Sequence, residues 1–371
     1  MNPFILLMLI CAAVGLLDKI LGGRWGLARY FDSGLAIMGS LALSMCGLFC
    51  IGVTVIKTYS PQLSAAFAGL PVDPSLSIGC LLAPDMGAYP IALEMAEDPL
   101  LGAFFGVLVS STLGTVIGYQ LPVFLGAVGK EDAAPVLKGL FIGVGTLPPA
   151  LLAGGLLLKV PLGRLAVNLL PVAVFCIVLI VALTLAERPT TAVLQVLGVT
   201  VKILSYVLTV LVIADLYVKD LGLVPPELRS EVFVMVFKVT AIICGSLVFS
   251  QLLTRWFHRP LTYVAERIGT NEYAIMGMLL GATNSLAMLP LMPRMDRRGK
   301  ILNGAFSAAG AYVIGGQMAF ISGASDPWTT AVFMITKLGA ALLAVTAACL
   351  LTGREEKERL EKIVVGNQAE T

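Results

Sequence analysis

The stretch from Ile78 to Asp98, IGCLLAPDMGAYPIALEMAED, begins and ends like a membrane span but cannot be one continuous helix. Its middle contains Pro84, Asp85, Gly87 and Pro90. Proline removes a backbone donor and clashes with the preceding turn, so we expect a broken helix or hinge at Pro84, Gly87 and Pro90. Unwound backbone and a carboxylate at membrane depth need protein or a water-filled cavity to satisfy them. We therefore predict a functional role for Asp85; a compatible alternative is that it only caps the second half-helix.

Composition places this stretch in a membrane protein. Hydrophobic residues make up 58% of the chain and charged residues 13%, and the mean hydropathy is +0.92. Segments of the roughly 20 residues that cross a bilayer lie near 2–21, 34–56, 100–119, 136–158, 164–184, 193–217, 232–253, 300–322 and 328–352. The sequence therefore predicts an all-α polytopic membrane protein with about nine plain spans. Two broken or re-entrant segments, near 62–95 and 261–293, complete it.

Several classes of protein and site are disfavoured. The net charge of +2 is spread through loops, so no nucleic-acid partner is expected. Seven cysteines lie in apolar runs without CxxC spacing, and His258 is the one histidine, so we predict no metal site and no cofactor. No HExxH or GxSxG pattern occurs, and an enzyme is not expected. The expected partners are a small-molecule substrate and membrane lipid.

A weak internal repeat pairs the two broken segments. An offset of 198 residues places 36–122 over 234–320 without a gap, and Asp85-Met86-Gly87 then falls on Thr283-Asn284-Ser285. Paired interruptions in two halves indicate a transporter binding site. The predicted organisation is an N-terminal span and loop (1–33), repeat 1 (34–122), connecting spans (123–231), repeat 2 (232–322), a last span (323–352) and a cytoplasmic charged tail (353–371).

Loop charge indicates that the repeats are inverted. Acidic residues (Glu94, Glu97, Asp98) follow the first broken segment, whereas the basic run from Arg294 to Lys300 follows the second. Cations collect on the cytoplasmic side, so the second segment would enter from inside and the first from outside. The same rule, applied to Arg24 and Arg29, predicts an outside N-terminus and a cytoplasmic C-terminus. Lys159 and Arg164 fall outside in this arrangement and count against it.

Small residues recur every four positions after the first broken segment, at Gly102, Gly106, Ser110, Gly114 and Gly118. In the second half Gly304, Ala308 and Gly316 keep part of this rhythm. Such a face lets backbones approach closely in lipid. It either seats the broken hairpins or serves plain helix packing or dimerisation, which leaves a homo-oligomer open.

Two further ionisable residues lie in the apolar segment 193–217. Lys202 lies within it, and Asp215 lies at its end, close to Lys219 and Asp220. The neighbouring charges favour an interfacial, snorkelling position for Asp215 over a place in the site.

Three stretches of the sequence resemble a known family, the ethanolamine-utilisation transporters EutH. They are Leu82-Ala83 with Asp85-Met86-Gly87 and Glu94; Leu252–Phe257 with Pro260-Leu261; and Met295-Asp296 with Arg298-Gly299-Lys300, Asn303 and Ala305-Phe306. The resemblance covers about residues 34–350. It implies a bacterial inner-membrane protein that moves ethanolamine into the cytoplasm, where a cobalamin-dependent lyase degrades it. Facilitated diffusion and ion-coupled alternating access both remain open.

The chain departs from the family pattern at two places. The family carries paired asparagines where this chain has Thr283-Asn284, and an Asp-His pair where it has Gly316-Gln317. The second departure removes two titratable groups. Any proton-linked role of that pair is therefore in doubt here.

The residues themselves suit a small protonated amino alcohol. Its ammonium needs a carboxylate, for which Asp85 is the candidate, and its hydroxyl needs polar partners. These partners are expected to be Thr283, Asn284, Ser285 and Gln317. Tyr89 would offer a ring to the cation or a hydroxyl to Asp85, with ordinary packing as its alternative. The competing functions are transport of another small amine, by a transporter or channel, and a non-transporting membrane scaffold.

Overall fold

The computed structural model describes residues 3–36, 38–67, 69–185, 187–218 and 222–369, and these ranges contain helices and connections but no strand. The helices are α1 (Pro3–Ile20), α2 (Ala28–Ala36), α3 (Met38–Phe67), α4 (Ser75–Leu81), α5 (Ala88–Met95), α6 (Pro99–Ala103), α7 (Leu121–Ala127), α8 (Lys130–Gly145), α9 (Leu147–Leu157), α10 (Leu162–Leu185), α11 (Glu187–Tyr217), α12 (Pro226–Ile268), α13 (Glu272–Gly281), α14 (Arg297–Gly310), α15 (Gly316–Ala324) and α16 (Pro327–Ala369). Two 3₁₀ segments (Pro84–Met86, Ser285–Arg294) and two π-helical segments (Phe104–Gly114, Val116–Gln120) complete the set in these ranges.

Several helices can cross a membrane, so the protein is a multi-pass membrane protein. Three segments within the described ranges are long and apolar enough alone: Leu162–Ala182, Pro226–Phe249 and Pro327–Gly353. Helices α8 and α9 are together long and apolar enough to cross a membrane, but the chain bends by 41° between them. The prediction of one plain span over 136–158 is therefore wrong. Pro148 and Pro149, in the first turn of α9, lack the amides that would continue α8.

The first broken segment folds back on itself as a helical hairpin, hairpin 1 (75–95). Helix α4 ends at Leu81, the 3₁₀ turn Pro84–Met86 follows, and α5 runs back. The Asp73 carboxylate accepts hydrogen bonds from the amides of Glu97 and Asp98, which joins the two ends of the hairpin. The predicted start near 62 is too early, because α3 continues through Pro61 to Phe67.

The second broken segment has the same construction and forms hairpin 2 (272–294). Helix α13 is followed by the interruption 282–284 and then by the 3₁₀ segment Ser285–Arg294. Its ends are joined because the Asn271 side chain donates to the Arg294 carbonyl, and the Asp296 carboxylate accepts from the Asn271 amide. The predicted start near 261 is also too early, since α12 continues through Pro260 to Ile268.

The small-residue face after the first hairpin seats that hairpin, which confirms the first of the two alternatives. A Cβ at Gly102 or Gly106 would crowd α5, and one at Gly114 or Gly118 would overlap the last carbonyls of α4 or of Leu82. The second half differs, because Gly304 lies against the Val136 carbonyl of α8. There the face serves plain helix packing.

The predicted plain span 300–322 is wrong, because the chain is interrupted a third time. Helix α14 ends at Gly310, and α15 begins at Gly316. Within this gap the Tyr312 amide donates to the Gly281 carbonyl at 3.2 Å, and the Ile314 amide donates to the Ala282 carbonyl at 3.1 Å. The two interruptions therefore satisfy each other's backbone, as membrane depth requires.

Asp215 is buried rather than snorkelling. Its carboxylate accepts from the amides of Leu223 and Val224 and lies 3.4 Å from Arg229 Nη1. It therefore ties the connection between α11 and α12, and the interfacial interpretation is wrong. The side chain of Lys202, residues Lys219 and Asp220, and the side chains beyond 353 in the predicted tail lie outside the described part.

Candidate functional site

A cavity of about 530 Å³ lies where the three interruptions meet. Residues from all three line it: Ala83, Asp85 and Met86 from the first, Thr283 and Asn284 from the second, and Tyr312, Gly316 and Gln317 from the third. Helices α1 and α12, the second π-helical segment and the residue before it supply the rest: Leu9, Phe237, Lys238, Ala241, Ile242, Tyr119 and Thr115. The wall is largely apolar with a few polar groups, which is typical of small-molecule sites.

Asp85 is the one acidic side chain among the described residues that line this cavity. It lies in the middle of the 3₁₀ turn Pro84–Met86 and is half-buried. Gly87 follows with φ +99°, a left-handed conformation that lets α5 start in a new direction. No described side chain donates a hydrogen bond to the Asp85 carboxylate, so it is available to a ligand.

Of the five substrate-binding residues predicted besides Asp85, three line the cavity: Thr283, Asn284 and Gln317. Asn284 also caps the following 3₁₀ segment, because its Oδ1 accepts from the Leu286 amide at 2.9 Å. Ser285 is fully buried beside the cavity, and its hydroxyl shares a 2.7 Å hydrogen bond with that of Tyr312.

Tyr89 and Pro90 are placed differently from the prediction. Tyr89 is not among the cavity-lining residues. It packs against Gly106, which agrees with the alternative role of ordinary packing given for it above. Pro90 lies in the first turn of α5, where the absence of its amide costs no helical hydrogen bond. The break itself therefore rests on Pro84 and Gly87.

Sequence reasoning missed Lys337, a fully buried lysine on α16. Its Nζ donates to the Gln317 Oε1 at 3.0 Å and to the Ser111 carbonyl at 2.6 Å. The Gln317 amide in turn donates to the Thr115 hydroxyl at 2.7 Å. Gln317 thus connects Lys337 to the cavity that Asp85 lines, without a direct ion pair between these two described residues. The available signal was one cation in the apolar run 328–352, since such residues are functional by default.

Two tyrosines of the cavity were also missed. The rings of Tyr119 and Tyr312 meet edge to face with centroids 6.3 Å apart. Tyr312 has φ +64°, which is uncommon for a residue with a Cβ and marks a strained position. The glycine pair Gly315-Gly316 was the sequence signal for this third interruption.

The arrangement can bind a small organic cation. The Asp85 carboxylate and the side chains of Thr283, Asn284 and Gln317 line one largely apolar cavity, which Lys238 also lines. Carboxylate, hydroxyl and amide groups bind a cation by charge and hydrogen bonds. The described residues contain no group of three or more His, Cys, Asp or Glu side chains that could hold a metal.

Comparisons with known proteins give the family. The family model described as "Ethanolamine utilisation protein, EutH" matches residues 1–351. The chain is 30% identical to the "Probable ethanolamine permease EutH" of Listeria monocytogenes over 361 residues, which cover 96% of each chain. It is 30% identical to the "Uncharacterized protein YxeR" of Bacillus subtilis over 94% of each chain. It is 26% identical to the "Probable ethanolamine permease EutH" of Escherichia coli K12, over 94% of this chain and 95% of that one.

No solved structure matches the chain. The family model covers residues 1–351, and these relatives cover nearly the whole chain. This chain belongs to the EutH family of ethanolamine utilisation proteins.

Proposed function

We propose that this protein takes up ethanolamine, as a protonated amino alcohol, across the bacterial inner membrane into the cytoplasm. The observation that carries the proposal is a single carboxylate, Asp85, facing a cavity where three interrupted segments meet. Discontinuous helices around a midplane cavity are typical of transporters. The names of two relatives, which specify an ethanolamine permease, support the choice of substrate.

Each end of the substrate finds a partner in the cavity. Aliphatic amines are mostly protonated at neutral pH, so the ammonium would bind Asp85. The Asn284 Oδ1 is already used by the Leu286 amide, which leaves its NH₂ group to donate to the substrate hydroxyl oxygen. Thr283 offers a hydroxyl beside it. The ring of Tyr312 takes the role expected of Tyr89, since it lines the same cavity.

The proposal includes the inverted repeat, with hairpins that enter from opposite faces. At one end of α16, Trp328 Nε1 donates to the Leu157 carbonyl. Arg164 follows Leu157 by a few residues and pairs with Asp98 at the base of hairpin 1. At the other end of that span, the Cys349 carbonyl accepts from Arg298, beside the base of hairpin 2. Because α16 crosses the membrane between these ends, the contacts support opposite insertion.

The same contacts support the proposed orientation. Arg29 and Arg294 both lie over the ring of Tyr30, and Arg255 donates to the Trp25 carbonyl, so the basic loops gather at one face. This face would be cytoplasmic, which puts the N-terminus outside. The pairing of Arg164 with Asp98 explains one of the two cations on the opposite face. The two repeats 34–122 and 232–322 belong to this proposal, as do the predicted spans other than 136–158 and 300–322, which are interrupted.

Uptake into proteoliposomes tests the function. Purified protein is reconstituted, and entry of radiolabelled ethanolamine is compared with entry into protein-free vesicles. We expect saturable uptake that excess unlabelled ethanolamine abolishes. Competition by other small amines identifies a broader transporter. Uptake equal to that of empty vesicles, with folded and correctly inserted protein, would leave the scaffold alternative in place.

A further inference from the structure

The transport site contains a second charge in addition to Asp85. Lys337 lies within the span Pro327–Gly353, and its side chain is 1% exposed. Its Nζ also lies 5.6 Å from the centroid of the Phe333 ring. Gln317 connects it directly to the cavity, because Gln317 lines the cavity and accepts from Nζ.

An ionised Asp85 and a protonated Lys337 sum to zero in the empty site. Lys238 also lines the cavity, but its side chain is exposed rather than buried. When a substrate ammonium binds Asp85, one buried cation is left without a counter-charge. An uncompensated buried charge is strongly unfavourable in a low-dielectric interior. Loss of the Lys337 proton removes this excess.

The hydrogen bonds of Lys337 suit its neutral form. An ammonium has three N–H donors, whereas a neutral amine has two. The described residues give Nζ two acceptors, the Ser111 carbonyl and the Gln317 Oε1. Deprotonation therefore leaves both hydrogen bonds intact, so it costs the protein no polar contact.

We propose that Lys337 releases its proton when the substrate ammonium binds Asp85, so that the protein exchanges one proton for each cation. In this step the N–H bond of the Lys337 ammonium breaks, its electron pair stays on Nζ, and the proton leaves through cavity water to solution. After the substrate departs on the other side, Nζ takes a proton from that side. The exchange moves no net charge. It deepens the proposed function and rests on it.

Other ionisable groups near Lys337 do not replace it in this role. Lys238, Tyr119 and Tyr312 line the cavity, but Lys337 Nζ donates to Gln317 and Ser111 and to none of these three described residues. Helices α8 and α14, which pack against α16, carry Glu131, Asp132, Lys138, Arg297, Arg298 and Lys300; Asp132 pairs with Lys300, and none of the six is a described hydrogen-bond partner of Lys337. Helices α9 and α15 and the π-helical segment Phe104–Gly114 carry no charged residue.

Calorimetry of ethanolamine binding tests the exchange. The heat of binding is measured for the purified full-length protein in several buffers of different ionisation enthalpy, none of them a primary amine. Its dependence on the buffer gives the protons released per ligand. We expect about one proton for the wild type and about none for Lys337→Gln. Lys337→Arg, whose charge cannot be removed, is expected to lose binding.

The possible outcomes distinguish the proton exchange from the proposed transport function. Binding by the wild type without proton release overturns the exchange and leaves the proposed function standing. Absence of any binding overturns both. Proton release that persists in Lys337→Gln, or that is lost only in Lys238→Gln, assigns the proton to another group and overturns the role of Lys337. Where a Lys337 variant fails to fold, the wild-type measurement still decides whether a proton is exchanged, and Lys238→Gln decides whether Lys238 supplies it.

Discussion

Gln317 accepts a hydrogen bond from Lys337 at 3.0 Å, and this contact joins a fully buried lysine to the polar wall of the cavity. The same amide donates to Thr115 at 2.7 Å, so both ends of Gln317 are used. The Gln317 side chain thus connects Lys337 to Thr115, which lies 202 residues before Gln317 in the chain.

The first prediction concerns Gln317 itself. Gln317→Leu keeps the approximate volume but removes an acceptor from a buried cation. We expect the free energy of unfolding in detergent to fall by about 1.5–3 kcal/mol, the range for hydrogen bonds to charged groups. Denaturant unfolding measures the change, and Gln62→Leu, at an exposed position on α3, is the matched control. Equal stability of the two variants would contradict the role of Gln317.

The second prediction concerns Asp85. Asp85→Asn removes the partner of the substrate ammonium and keeps the shape of the side chain. We expect uptake at limiting ethanolamine to be abolished while expression and insertion stay normal, since a buried charge pair loses about 2–5 kcal/mol when one partner is removed. Asp32→Asn is the control, because Asp32 pairs with Lys19 in an exposed position. Near-normal uptake by Asp85→Asn would remove Asp85 from the site.

Only part of this site could be predicted from the sequence. Pro84 and Asp85 reveal the first interruption because proline and a carboxylate are both unfavourable in a lipid-facing helix. The offset of 198 residues then leads to Thr283 and Asn284. Periodicity could not reveal that Gly310–Gly316 is interrupted, because its residues are as apolar as those of a continuous helix. The partners of that interruption are backbone groups of Gly281 and Ala282, which leave no pattern in the sequence.

The error over Tyr89 has a geometrical cause. Helical spacing places residues four apart on one face, and Tyr89 is four residues after Asp85. The left-handed Gly87 between them changes the chain direction, so the spacing no longer applies. Lys337 was missed because a lone lysine in an otherwise regular span does not alter the helix pattern.

The third prediction separates two roles of Asn284. Asn284→Ser keeps an acceptor for the Leu286 amide but loses the NH₂ group, whereas Asn284→Ala loses both. We expect both variants to weaken ethanolamine affinity roughly tenfold, equivalent to one buried hydrogen bond. We expect only the alanine variant to lose about 1 kcal/mol of stability.

Calorimetric titration and unfolding measure the two effects. In a double variant with Asp85→Glu, the two losses of binding free energy should not add, because both residues contact one ligand. Strict additivity in a well-folded double variant would place Asn284 in a separate site.

The fourth prediction concerns orientation. In a background without the seven cysteines, single cysteines at the exposed positions Glu97 and Arg297 should react with a membrane-impermeant reagent from opposite sides. These positions lie at the bases of hairpins 1 and 2. Labelling of both from the same side would replace the inverted repeat by a parallel duplication.

The fifth prediction concerns the packing of hairpin 1 against the small-residue face that follows it. At Gly114 a Cβ would overlap the carbonyl oxygens of Gly79 and Leu82. We expect Gly114→Ala to lower the free energy of unfolding by about 1–3 kcal/mol through overpacking and to reduce uptake by displacing Asp85. Gly163→Ala is the control, since no atom lies within 4 Å of the added Cβ. Wild-type behaviour of both variants would show that the hairpin is not held at this place.

The paired backbones of the second and third interruptions have a mechanical consequence. The tip of hairpin 2 cannot withdraw from the cavity alone, because Gly281 and Ala282 are bonded to Tyr312 and Ile314. Its displacement pulls on α15, and α15 begins with Gly316 and Gln317. The tip of hairpin 2 and α15 are therefore expected to move together, and through Gln317 this movement reaches the buried Lys337.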